Sequence, residues 1–209
     1  MEDQRYRTVA HEGEHEIEIK KSRFLTTLAP AATEGDAQAV IRRVRERHPG
    51  ATHHCWAYVL GASGGVQKSS DDGEPGGTAG VPMLQMLLRR EVRDTVAVVT
   101  RWFGGVQLGA GGLIRAYGGA VGRTLDVLGT VTRRPLRLAT VTVDHRRAGK
   151  LENDLRATGR RVRGVRYGDR VRIEIGVAEA DLDRFRGWLA DATAGTAGLE
   201  LGAVTYVEG

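Results

Sequence analysis

The sequence predicts an α+β protein in two parts, residues 1–133 and 134–209. Three observations carry that expectation. From residue 137 onward the patterning runs strand, helix, strand, strand, helix, strand, which is the β-α-β-β-α-β order of the ferredoxin-like motif. Ahead of it lie short strands of alternating or continuous apolar residues, with a few helical stretches between them. The segment from Gly129 to Pro135 interrupts both patterns and marks the boundary.

Taken in order, residues 6–10 and 15–19 alternate and read as short strands with one wet face. Residues 22–28 form a third strand, ended by Pro30. Thr33 with Asp36 three positions on resembles a capping box. It opens a helix whose Ala37, Val40, Ile41 and Val44 share one face, and Pro49-Gly50 stops it. Residues 53–60 are a strand, and the glycines at 61–65 turn the chain. Val81-Pro82 places proline in the first turn of an apolar helix. Residues 95–100 are nearly all apolar, the pattern of a strand covered on both faces. A helix follows from about Gly112 to Leu128, and its Gly118, Gly119 and Gly122 are expected to admit another backbone. In the second part the expected elements are strand 137–143, helix 145–157, strands 161–167 and 170–178, helix 182–193 and strand 199–207. Tyr167-Gly168-Asp169 turns the middle hairpin.

Composition sets limits on function. The chain of 209 residues is 41% hydrophobic and 27% charged, an ordinary globular balance. No apolar run approaches the roughly 18 residues of a spanning helix. The opening Met1-Glu2-Asp3-Gln4-Arg5 lacks the pattern of a signal peptide, so a cytoplasmic location is expected. A single cysteine, Cys55, excludes an internal disulfide and a cysteine-based zinc site. The formal net charge of +5 says little alone, but residues 145–172 hold ten basic against three acidic side chains. Such a local excess points to a polyanion.

The chemistry-bearing residues concentrate between Ser69 and Tyr117. Asp71, Asp72 and Glu74 are oxygen ligands that suit a hard cation such as Mg²⁺; alternatively they hydrogen-bond loop amides and pair with Arg101 or Arg115. Gly76, Gly77, Thr78 and Gly80 precede a helix and suit an anion, or form a loop that ties down its own carboxylates. The loop is not a Walker loop, since it lacks the Gly-Lys-Ser/Thr ending. Trp102 and Phe103 beside Arg101 and Arg115 offer base stacking and phosphate contacts, or else are core residues and acid partners, and Phe103 is expected in the core. On a strand, His53 and Cys55 face one way and His54 the other, so the three cannot share one ion. Lys21 and Arg23 add positive charge, and Arg160, Arg161 and Arg163 belong to the arginine-rich surface of the second part.

With these residues in view the sequence resembles the YigZ/IMPACT family. The resemblance rests on Lys20-Lys21-Ser22-Arg23-Phe24, on His53 through Tyr58, on Asp71 through Gly80 and on Arg101 through Tyr117, in that order. It implies a first domain of the ribosomal-S5-domain-2 type, a sheet with two helices on one face, followed by a smaller ferredoxin-like domain. Eukaryotic members regulate translation by interfering with activation of a stress kinase through its activator protein. They carry an extra interaction domain that these residues lack, so that partner is not transferred. For two-domain members the resemblance implies RNA or ribosome binding and no catalytic residues. Where that family usually has tyrosine in the Arg-x-Phe-Gly-Gly run, this sequence has Trp102. The expectation is therefore a non-enzymatic protein that binds RNA or the ribosome, with no membrane and no cofactor. An Mg²⁺-dependent enzyme or sensor of a phosphorylated small molecule, and a protein-binding scaffold, stand as alternatives.

Overall fold

The computed structural model describes residues 5–209 and divides into two compact units, which meet in sequence between Arg133 and Arg134. The opening residues 1–4, read above for a signal peptide, lie outside the described residues.

The first unit is built on a five-stranded sheet in the order β2-β3-β6-β4-β5. Its strands are β2 (Gly13–Ile19), β3 (Ser22–Pro30), β4 (His53–Leu60), β5 (Val66–Ser70) and β6 (Thr95–Trp102), and every neighbouring pair is antiparallel. A further strand, β1 (Tyr6–Val9), pairs with residues 130–133. Strand β6 sits in the middle and is apolar on both faces, as its continuous run requires. Val96 and Val98 meet helix α1 (Glu34–Arg47) through Ala37, Val40, Ile41 and Val44. Ala97 and Val99 meet helices α2 (Gly80–Arg89) and α3 (Ala110–Leu128) through Met83, Leu87, Tyr117 and Val121. The two helices on one face are therefore joined by a third on the other.

Local sequence explains most element ends. Thr33 Oγ1 accepts the Asp36 amide at 3.1 Å and Asp36 Oδ2 accepts the Thr33 amide at 2.9 Å, completing the capping box. Helix α3 starts two residues earlier than expected, after Gly109 at φ 72°. Strand β5 is new: Val66-Gln67-Lys68-Ser69-Ser70 is polar and largely exposed, so periodicity gave it no signal, and its ladder with β4 makes it the sheet edge.

The second unit has the sheet order β10-β7-β9-β8. Here β7 is Thr130–Val143, β8 Val162–Tyr167, β9 Val171–Val177 and β10 Gly198–Glu208, with helices α4 (His145–Ala157) and α5 (Leu182–Thr193). Val171, Ile173, Ile175 and Val177 of β9 pack with Leu151 and Leu155 of α4 and with Phe185 and Leu189 of α5. Both helices thus cover one face of the sheet. Strand β7 begins seven residues before the expected 137. Pro135 falls between the residues that pair with β1 and those that pair with β9, so its missing N–H breaks neither ladder.

The helical glycines of α3 behave differently from one another. A Cβ on Gly118 would meet the Pro82 carbonyl oxygen at an ordinary 3.5 Å, and one on Gly122 would meet the flexible end of Met86 at 3.3 Å. Nothing lies within 4 Å of a Cβ on Gly119, so the close backbone approach expected there does not occur. In contrast, a Cβ on Gly104 would overlap the Lys21 carbonyl. Gly119→Ala is predicted to stabilise the protein by about 0.5–1 kcal/mol. Gly104→Ala is predicted to destabilise it by about 1–3 kcal/mol. Urea unfolding of both variants checks the pair, and equal effects would contradict the packing described.

Candidate functional site

The glycine-rich stretch folds at one end of the central sheet, where β3, β4 and β6 present Phe24, His53 and Arg101 in register. Arg101 is a strand residue 5% exposed, and its guanidinium lies inside the unit. Nη1 donates to Glu74 Oε1 at 2.5 Å and Nη2 to Ser22 Oγ at 3.3 Å. Its guanidinium carbon lies 5.4 Å from the Phe24 ring centre and 5.6 Å from that of Phe103. Glu74, 8% exposed, accepts a second hydrogen bond from Tyr117 Oη of α3 at 2.7 Å. One carboxylate thereby joins the loop, the central strand and a helix.

The other acids are committed in the same way. Asp71 Oδ2 accepts the Gly77 amide at 2.8 Å, and Oδ1 accepts the amides of Ala79 at 3.0 Å and Gly80 at 2.8 Å. Partial burial works to raise the Asp71 pKa, but these amide hydrogen bonds outweigh it and hold the carboxyl below its ordinary 3.8. Asp72 Oδ2 accepts the His54 amide at 2.7 Å, and Oδ1 pairs with Arg45 at 2.5 Å. Among the described residues no cluster of His, Cys, Asp or Glu is arranged to hold a metal ion. Of the two readings of Asp71, Asp72 and Glu74, the bonds formed are those of the second: each acid is held by backbone amides or by an arginine of the fold.

The same bonds revise the anion loop. The amides of Gly77 and Gly80 already face Asp71, the Thr78 amide and hydroxyl both donate to the Pro75 carbonyl, and Gly76 is exposed with open space beside it. Gly80 is glycine for packing, since a Cβ there would stand 2.8 Å from the Ser70 backbone. The loop therefore carries its anion in its own sequence.

The remaining expected residues are spread apart. Trp102 is half-buried, with Arg23 over its ring at 4.7 Å and His48 against its edge, so one stacking face is taken. Arg23 is in turn held by both oxygens of Glu16. Lys21 is exposed at φ 65°, and Phe103, expected in the core, is 49% exposed because the strand ends at Trp102. Arg115 is exposed on α3, with no ion pair among the described residues. Cys55 is fully buried; desolvation, reinforced by Glu74, Asp72 and Asp71, pushes its thiol up to about 12, which removes it as a nucleophile. Burial lowers the His54 pKa, and its Nε2 meets the His48 carbonyl at 3.1 Å.

In the second unit eight of the ten basic residues of 145–172 fall into two groups. Arg147, Arg156 and Arg170 are bonded to carbonyls or acids, and Arg160 lies over the stacked rings of Phe185 and Trp188 with its Nη1 on Thr158. Arg161, Arg163, Arg166 and Arg172 are exposed, and among the described residues their guanidiniums have no hydrogen-bond or ion-pair partner. Arg172 alternates with the buried Val171 and Ile173, so it lies on the face away from α4 and α5, and Arg166 stands directly opposite it. Sequence reasoning singled out Arg161 and Arg163 and held Arg166 and Arg172 only within the basic run 145–172. The period-2 alternation through β9 was the signal that could have selected them.

Arg101→Ala strands a buried carboxylate and should destabilise the protein by about 3–5 kcal/mol. Arg115→Ala should stay within about 0.5 kcal/mol of wild type; urea titration measures both. Because the Asp71 pKa is depressed in the folded state, its contribution is complete above the unfolded value near 3.8 and is lost as pH falls through the lower folded value. Melting temperature followed down an acid series should fall in that window, and Asp71→Asn should remove part of the dependence.

Comparison with known proteins finds relatives along nearly the whole chain. The Impact N-terminal domain matches residues 20–125, and a domain of unknown function, DUF1949, matches residues 141–196. IMPACT family member YvyE of Bacillus subtilis is 45% identical over 203 residues, covering 97% of this chain and 94% of its own. IMPACT family member YigZ of Escherichia coli is 40% identical, covering 86% of this chain and 89% of its own. A crystal structure titled as that of a hypothetical protein superposes with a TM-score of 0.70 at 37% identity, covering 95% of this chain and 97% of its own. The match to the Impact domain and these near full-length identities have one reading: the chain belongs to the IMPACT family.

Proposed function

We propose that this protein is a non-enzymatic RNA- or ribosome-binding protein that modulates translation, and that its polyanion surface is the helix-free face of the C-terminal sheet. The observation that carries this reading is the cross-strand pair Arg166 and Arg172. Like charges placed directly opposite on a sheet are unfavourable by a few tenths of a kcal/mol up to about 1 kcal/mol. Neither guanidinium has an acidic partner among the described residues to relieve this, and Arg161 and Arg163 extend the same positive field. A row of phosphates supplies the missing charge and releases its own counterions on binding. The placement of Arg101 and Glu74 supports the shift of emphasis, because a buried ion pair has no guanidinium to offer a phosphate.

A second reading, protein binding, draws on exposed Phe103, Val106 and Ile114 in the loop and first turns of α3. Association that survives nuclease treatment would favour it. For the leading reading, co-sedimentation with ribosomes and filter binding of RNA across a salt series give the test. Binding should weaken steeply with salt, and Arg166→Ala/Arg172→Ala should flatten the log–log slope by roughly 1.4 if each arginine neutralises one phosphate of a single strand. No binding at low salt would overturn the proposal.

A further inference from the structure

The helix-free face of the second unit ends in a recess of about 410 Å³ lined by Leu136, Arg161, Val162, Arg163, Gly176 and Val207. That volume lies within the range of small-ligand sites, about 300–1,000 Å³. Its chemistry is divided: Leu136 and Val207 supply an apolar floor, and two arginines supply the rim. The floor depends on Gly176. A Cβ there would stand 2.8 Å from Leu136 Cδ1, so the bare backbone is what lets that side chain lie against the strand. The rim depends on an irregularity in β8, whose register with β9 shifts between Val162 and Gly164. Such a bulge re-aims side chains. Val162 packs toward the helical core, and Arg161 and Arg163 flank it with their guanidiniums unengaged among the described residues.

Neither half of this arrangement suits a bare phosphate or a purely apolar ligand. An apolar floor beside two forked cations matches a group that is planar and weakly polar at one end and anionic at the other. We infer that the recess takes one unstacked nucleotide of a single-stranded RNA segment, its base on Leu136 and Val207 and its phosphates on Arg161 and Arg163. This rests on the RNA-binding reading and adds a selectivity that the charge alone does not provide. A duplex keeps its bases stacked and paired, whereas a single strand can splay a base onto a protein surface. Arg166 and Arg172, lying farther along the same strands, serve either form through phosphate contacts.

The test uses the full chain, a fluorescent RNA oligonucleotide and the duplex formed with its complement, at one low salt concentration. Wild type should bind the single strand at least tenfold more tightly than the duplex. Val207→Glu places a carboxylate on the floor and should bring single-strand affinity down to the duplex level while leaving duplex affinity unchanged. Arg161→Ala/Arg163→Ala alters only exposed side chains and should reduce the single-strand preference as well, which covers the case in which Val207→Glu fails to fold by circular dichroism. Equal affinity of wild type for the two forms, or an unchanged preference in a folded variant, would overturn the recess assignment and leave the RNA-binding reading standing. Failure of wild type to bind either form would overturn both.

Discussion

The ion pair between Arg101 and Glu74 is the constraint on which the first unit depends. Both partners are almost wholly buried, and desolvating two charges costs several kcal/mol per ion unless further hydrogen bonds complete the arrangement. Tyr117 and Ser22 provide two such bonds, from helix α3 and from the start of β3, while Arg101 Nε is buried with no hydrogen-bond partner among the described residues. The result ties the central strand, the acidic loop, a helix and a neighbouring strand at one point. Glycines complete the knot: Gly80 admits the Ser70 backbone and Gly104 admits that of Lys21, so the loops close onto the sheet end without side chains in the way. Asp71 then fills the amide nest in front of α2, which would otherwise attract an anion from solution.

Much of this fold was legible in the sequence because it rests on short-range patterns. The capping box at Thr33 and Asp36, the doubly covered strand at 95–100 and the strand-helix order after residue 137 each follow from residues close together in the chain. Strand β5 was not legible, since an exposed polar edge has no hydrophobic period to read. The state of the acids was also hidden. Glu74 meets Arg101 27 residues away and Tyr117 43 residues away, and composition cannot distinguish acids that face a ligand from acids that face one another. Phe103 was misplaced for a related reason: it lies one residue beyond the end of β6, where alternation stops governing burial.

The motif that identifies the family is thus spent largely on holding one unit together, and the cross-strand arginine pair Arg166 and Arg172 lies in the other. That separation fits the family match, in which the Impact domain carries the recognisable glycine turns and residues 141–196 carry the less characterised module. The two groups of arginines in the second unit differ in partner. Those on the helical side and at the sheet ends hold carbonyls, acids and aromatic rings, and those on β8 and β9 hold nothing among the described residues. The open sheet face carries Arg166 and Arg172 with no ion-pair partner among the described residues, and Glu174 of β9 lies on the same face.

Hydrogen exchange of the full chain, with and without saturating ribosomes or ribosomal RNA, tests this division of labour most directly. The account predicts slower exchange in residues 162–177 on binding and no change in residues 71–80 or 101–117. Protection confined to residues 101–117, with β8 and β9 unaffected, would contradict it and return the binding surface to the glycine-rich stretch.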